Sequence, residues 1–340
     1  RTPTAFEGVC VRRGRFLLTP NIIREPGSQC GAYDARGNQR PWDRVSIREI
    51  KTVAGISAKD VKALRDSTGA GMMDCKKALS EAEGDVEKAM ELLRASGLAK
   101  AGKRAGRDTS EGAVVFKANG GKGAIIELGC ETDFVANTPD FQGLAQRVLD
   151  AVAEAGNVND VETALALPFE DSTMDDVLKI FVGKVGENVQ LKRVASVSVD
   201  GVTGGYIHSG GTLAVLVALN TSSPSDDVSA LAREIAMHVA AHDPTPMAVD
   251  RDGMPAAEVE KERTFLVQQA KDSGKPDNVI EKMVDGRMNK YFQENTLLAQ
   301  GFVKDPDKTV GDLVKAAGSD VSVAAFVRFQ LGNTGEAAEE

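Results

Sequence analysis

Several ingredients of common function classes are scarce in this sequence. Its 340 residues include one tryptophan, three tyrosines, three histidines and four cysteines. With aromatics at 5%, a base-stacking surface for single-stranded nucleic acid would be hard to assemble. His208, His238 and His242 leave little room for a histidine-built metal site or catalytic triad. Cys10, Cys30, Cys75 and Cys130 form no CxxC or CxxH pair, so neither zinc nor a disulfide scaffold is indicated. Reduced, buried thiols are the plain reading of the last two. No apolar run approaches the roughly 18 residues that a membrane-spanning helix needs. What is present is ordinary for a globular chain: 42% hydrophobic and 27% charged residues, long enough for two or three domains.

The formal net charge of −9 makes nucleic acid a poor default partner. It is unevenly spread. Residues 1–52 carry ten Lys/Arg against five Asp/Glu, which leaves −14 on the other 288. Pro3, Pro20, Pro26 and Pro41 would interrupt any helix there, and no apolar periodicity persists. The segment 1–53 is Arg-rich like a transit peptide, but scattered acids and the lack of an amphipathic helix argue against one. It is expected to be a disordered or artefactual extension.

Order is expected from about Ala54. Ser57 to Asp60 reads as a capping box, Met72 to Ala82 as a second helix, and Asp85 as the cap of a third that Gly97 closes. Lys100 to Arg107, with four bases among small residues, reads as a solvated linker in preference to a phosphate-binding patch. A β-hairpin follows, Gly112–Ala118 and Ala124–Cys130 around Asn119-Gly120-Gly121. Next come a helix capped by Thr138 with Pro139 at its first position, a helix capped at Thr173, and a strand from Asn188 to Val199. Asp200-Gly201 reads as a hairpin turn. The grammar then repeats: hairpin 204–219, helix 225–241, further helices, and a strand from Val321 to Gln330, as for two similar α+β subdomains. Two long charged helices, 258–272 and 276–298, stand inside the second half as an antiparallel hairpin joined by Ser273-Gly274-Lys275.

No string carries enzymatic chemistry convincingly. Asn119 to Gly123 lacks the spacing and the Ser/Thr of a phosphate loop, and Gly204-Gly205 and Gly210-Gly211 lack a dinucleotide-site context. Cys130 and His208 could be imagined as nucleophile and base, but nothing orients the imidazole. Two oddities remain. Phe134 and Val135 fall in a connection next to Asp133, as either a lid folded on the core or an exposed interface anchor. Met72-Met73, opening a helix of a small bundle, is either core or an adaptable contact surface.

Two strings resemble signatures of the bacterial elongation factor Ts family: Gly69-Ala70-Gly71-Met72-Met73-Asp74-Cys75-Lys76-Lys77-Ala78-Leu79 and Thr132-Asp133-Phe134-Val135-Ala136. Lys184 to Asn188, Ala236 to Ala240 and Ser273 to Pro276 are similar to that family in the same order, so the resemblance spans about residues 54–333. It implies guanine-nucleotide exchange on GDP-bound elongation factor Tu, with no cofactor, no metal and no covalent chemistry, in the cytoplasm. It further implies that Asp133 and Phe134, flanked by Thr132 and Val135, press into the partner's GTPase domain near its magnesium and phosphate sites. Met72, Met73 and Lys76 would touch the same domain, and Val185, Gly186 and His208 would contribute. Val185 stands where isoleucine is common, a loss of one methylene with a small expected effect.

The expected architecture is α+β: an extension (1–53), a three-helix ubiquitin-associated-like domain (54–98), a basic linker (99–110), and a core N-subdomain (111–200). A core C-subdomain (201–255 and 304–333), an inserted antiparallel coiled-coil hairpin (256–303) and an acidic tail (334–340) complete it. No direct nucleic-acid or membrane contact is expected, and any homodimer would form through the helical hairpin or the core. The rival reading is a non-catalytic adaptor whose three-helix domain holds a ubiquitin-like fold or a nascent chain.

Overall fold

A computed structural model describes residues 56–332 except 209 and 273–275, together with the backbone of two short paired strands, β1 (Val11–Arg12) and β2 (Arg15–Phe16). The expectations for the rest of 1–53, for the 273–275 turn and for the 334–340 tail lie outside those residues.

Three helices come first: α1 (Ala58–Thr68), α2 (Met72–Glu81) and α3 (Val86–Arg104). The Ser57–Asp60 capping box forms, and Gly69 closes α1 in the left-handed region at φ 67°. Val61, Leu64, Cys75, Leu79 and Ala89 make a small core between them. α3 departs from expectation, because Gly97 does not close it and the basic linker is helical as far as Arg104. An interior glycine costs a helix about 1 kcal/mol. Here it permits a close crossing, as shown below, while Lys103 and Arg104 suit the negative end of the helix dipole.

The middle of the chain forms two three-stranded antiparallel sheets. The first runs β3 (Glu111–Asn119), β4 (Lys122–Cys130), β7 (Val189–Ser198), in the order β3-β4-β7. Between β4 and β7 lie α4 (Asp133–Ala136), α5 (Pro139–Ala155), α6 (Val161–Leu165), the short pair β5 (Pro168–Phe169) and β6 (Ser172–Thr173), and α7 (Met174–Val185). The second sheet takes β8 (Gly201–Ile207), β9 (Leu213–Asn220) and β12 (Ser322–Gln330), with β9 in the middle. Between β9 and β12 lie α8 (Asp226–Ala241), α9 (Ala256–Asp272), α10 (Asp277–Asn295), β10 (Gly301–Phe302), β11 (Asp305–Thr309) and α11 (Val310–Ala317). Each sheet is thus a hairpin joined by one late strand, as the repeated grammar predicts.

Alternate residues of the central strands face different cores. Ile126 and Leu128 pack with Leu144, Leu149 and Phe181 of the first helical layer. Val215, Val217 and Leu219 pack with Ile235, Val239 and Val314 of the second. Ile125, Leu216, Val114 and Phe329 meet between the sheets. The layers therefore run helix, sheet, sheet, helix; β9 reads as a continuous apolar run and β4 as one broken by Glu127, because both faces of each are covered.

Asp200-Gly201 is not a hairpin turn. β7 pairs with β4 and β8 with β9, so the chain crosses there from one sheet to the other. Gly201 serves close approach instead, since a Cβ on it would lie 2.1 Å from the Leu219 carbonyl oxygen. The inserted helices α9 and α10 have a seam of their own, with Leu266, Ala270, Ile280, Val284 and Met288 buried between them. Among the described residues, no helix is long and apolar enough to cross a membrane.

His238 anchors α8 to the chain returning from those helices. Its Nε2 lies 3.0 Å from Gln300 Oε1, and Val303 N donates to its Nδ1 at 3.3 Å. Burial, outweighing the Gln300 bond, lowers its pKa from 6.5 to about 4. A base with a depressed folded-state pKa favours folding only while neutral. Its contribution is complete above pH 6.5 and is lost as pH falls toward 4, at about 1.4 kcal/mol per unit. Denaturant melts from pH 7 to 4 are expected to show this loss, and His238→Gln to flatten it.

Candidate partner-binding surface

Cys130 ends β4, and three residues later the chain enters a single turn of helix, α4. Thr132 caps that turn, its Oγ1 accepting from Val135 N at 3.4 Å. Ala136 is buried and Val135 packs against the first core. Asp133 and Phe134 point outward, and Phe134 is 82% exposed. The lid alternative is therefore excluded: the ring covers nothing. The connection is also helical where a loop was expected, because a Thr cap followed by Asp is a competent helix start.

Met72 and Met73 begin α2 beyond Gly71 and are 55% and 75% exposed. Lys76, one turn on, is exposed too. The methionine pair is surface, not core. Val185 is the last residue of α7 and half-buried against the first core, while Gly186 caps the helix at φ 83°. His208 is exposed just past β8, its Nδ1 3.3 Å from Tyr206 Oη.

The α4 turn and the α1–α2 turn both touch the C-terminal end of α7. Glu187, next after Gly186, accepts from Thr132 N at 3.1 Å and from Thr132 Oγ1 at 2.8 Å. Lys184 pairs with Asp140 at 2.8 Å, and a Cβ on Gly69 would come within 2.7 Å of its Cε, so the α1–α2 turn rests on the lysine stem. His208 stands apart, on a turn whose Gly211 carbonyl accepts from Val114 N of β3 at 2.9 Å. Sequence reasoning missed Glu187 and Lys184 as individuals. The signal was there, an acid placed directly after a glycine suited to a helix cap.

Cys130 is no nucleophile. Burial, reinforced by the Glu187 charge, pushes its thiol up to about 12, and Sγ donates to Thr132 O at 3.2 Å. His208, solvent-exposed beyond the other sheet, has no part in it. Among the described residues, no group of three or more His, Cys, Asp or Glu is placed to hold a metal ion.

The bundle meets the rest of the protein where α3 crosses α7. A Cβ on Gly183 would lie 2.8 Å from Gly97 Cα, which sets the approach. Arg94 bonds Ser172 and pairs with Asp176 beside it. A cleft of about 360 Å³ flanks the crossing, lined by Ala70, Met90, Leu93 and Ile180 among others. Gly183→Val should separate the helices at a cost of about 1–3 kcal/mol, the range for overpacking. Increased amide exchange in Gly97–Ala101, with the sheets still protected, would show it.

The exposed ring on a pinned turn and the exposed methionines of α2 are carried on a scaffold of two helix-backed sheets, the frame of an α+β protein. The chain matches the family model described as Elongation factor TS over residues 131–333. It is 47% identical over 280 residues to the elongation factor Ts of Hydrogenovibrio crunogenus, covering 82% of this chain and 92% of that one. The corresponding proteins of Prosthecochloris aestuarii and Parvibaculum lavamentivorans are 45% and 44% identical over 288 and 290 residues. Those matches cover 82% of this chain and 99% and 94% of theirs. The chain belongs to the elongation factor Ts family, and its role is nucleotide exchange in translation elongation, with an elongation factor Tu as general partner.

Proposed function

We propose that the chain binds elongation factor Tu in its GDP state and loosens the nucleotide by pressing Asp133 and Phe134 into the GTPase domain near the magnesium and phosphate sites. The exposure of Phe134, 82% on a capped turn, carries this reading. A rigid ring fills a cleft at small rotamer cost, and Asp133 brings a charge to a region where phosphate and metal are balanced. Met72, Met73 and Lys76 form a second contact on the same domain, the thioethers adapting to its shape. Val185 and Gly186 support the first contact, and His208 adds a third from the second sheet.

In this reading 54–98 is a ubiquitin-associated-like module and 256–303 a coiled-coil arm. The regions 111–200 and 201–255 with 304–333 are the two halves of the core, and self-association uses the arm or the core. The factor acts in the cytoplasm, holds no nucleotide, touches no nucleic acid and makes no covalent bond. It needs only differential affinity for partner states. Linkage then requires GDP to weaken factor binding by the same ratio by which the factor weakens GDP binding. Titration of the chain into elongation factor Tu loaded with a fluorescent GDP analogue, followed by stopped flow, tests this. Release should accelerate with factor concentration and saturate, and excess GDP should dissociate the factor. Release at the intrinsic rate throughout would overturn the reading.

A further inference from the structure

A four-residue helix has no stability of its own, because one turn fixes several dihedrals for a single backbone bond. α4 must be held from outside, and the hold comes from Glu187. Both carboxylate oxygens are committed to one residue: Oε2 accepts from Thr132 N at 3.1 Å and Oε1 from Thr132 Oγ1 at 2.8 Å. Since the only hydroxyl proton of Thr132 goes to Glu187, its lone pairs are free for Val135 N, the bond that starts α4. A matching bond lies one residue outward on each segment. Glu131 Oε1 accepts from Asn188 N at 2.6 Å, and Arg107 pairs with Glu131 at 3.2 Å. That backbone bond, more than Arg107, holds the Glu131 carboxyl below its usual range.

We propose that Glu187 is a positioning residue for nucleotide exchange: it sets the angle at which α4 presents Phe134, acting through Thr132 and touching no partner atom. The proposal rests on the reading that α4 is the acting element. It also gives Val185 and Gly186 a different kind of role. Val185 anchors the end of α7 in the core, and Gly186, at φ 83°, supplies the left-handed turn that carries Glu187 to Thr132. A ring that must press on another protein needs a stiff base, and a charged acceptor gives the strongest hydrogen bonds available to a threonine cap.

The experiment compares wild type with Glu187→Ala, Glu187→Gln, Thr132→Val and the Thr132→Val/Glu187→Ala double variant, all in the full chain. Amide hydrogen exchange is read at Val135, Ala136 and Asn137, with β4 and α5 amides as the folding control. Glu187→Ala should speed exchange at those three amides by about tenfold or more while the control amides stay protected. Glu187→Gln, which keeps one acceptor oxygen, should recover part of the protection. The double variant should be less than additive, because both single variants remove the bond from Thr132 Oγ1 to Glu187, although only Glu187→Ala also removes the one from Thr132 N. In the GDP-release assay, Glu187→Ala should lower the maximum rate more than it raises the half-saturating concentration.

Unchanged protection of residues 135–137 in Glu187→Ala, or full additivity in the double variant, overturns the clamp. A loosened α4 with undiminished GDP release overturns the positioning role, whereas the reading that Phe134 acts falls only if Phe134→Ala also leaves release undiminished. Loosening together with a lowered maximum rate supports both.

Discussion

Phe134→Ala is expected to reduce the maximum rate of GDP release by about 30- to 140-fold. Burying a phenylalanine ring is worth about 2–3 kcal/mol, an interface anchor costs 2 kcal/mol or more on truncation, and 1.4 kcal/mol is tenfold. The fold should not notice. The side chain is 82% exposed and lies outside every core cluster, so unfolding free energy should stay within about 0.5 kcal/mol of wild type. That separation makes the variant informative: a fall in rate without a fall in stability locates function in the ring. An unaltered rate at saturating factor would move the acting residues to the methionine surface of α2. A small residual acceleration is expected, because Met72, Met73 and Lys76 are untouched.

Arg193→Ala should destabilise the protein by about 3–5 kcal/mol, the range for leaving a buried charge without its partner. Glu127 in β4 is 1% exposed and accepts from Arg193 Nε at 2.6 Å. The same guanidinium donates to the Gln330 carbonyl at 2.7 Å and lies 4.4 Å from the centre of the Phe329 ring. Arg193 therefore joins the first sheet to β12 of the second. Replacing both members, Glu127→Leu with Arg193→Met, should recover much of the loss, since neither side chain then buries an unpaired charge. Urea melts of the single and double variants measure both effects. A single variant within 0.5 kcal/mol of wild type would mean that water reaches Glu127 and that the sheets are held without the Arg193 bridge.

The sequence was most readable where one local interaction decides the outcome. Ser57, Asp85, Thr138 and Thr173 cap the helices expected of them, because a side-chain oxygen facing free amides needs no distant partner. The order of elements in each half, hairpin, helices and strand, was readable from the repeat, but not how the two sheets pack. Long-range geometry was not. Gly97 reads as a helix terminator until Gly183 is known to lie against it, some eighty-six positions along the chain. Asp200-Gly201 reads as a turn because the partner that needs a bare Cα, Leu219, is remote in sequence. The strings bearing Met72 and Phe134 stood out at once, but their exposure could not be read, since four residues of α4 are too few to show a periodicity. Glu187 stayed hidden for the opposite reason. Its role exists only once Thr132 is brought to it across 55 positions.

The most direct test of the account replaces Phe134 with the photoreactive ring of benzoylphenylalanine and irradiates the complex with elongation factor Tu. Cross-linked peptides are then mapped by mass spectrometry. Linkage is expected to the GTPase domain next to the nucleotide site, suppressed by excess GDP with magnesium. Linkage to any other domain, or a yield indifferent to GDP, would contradict it.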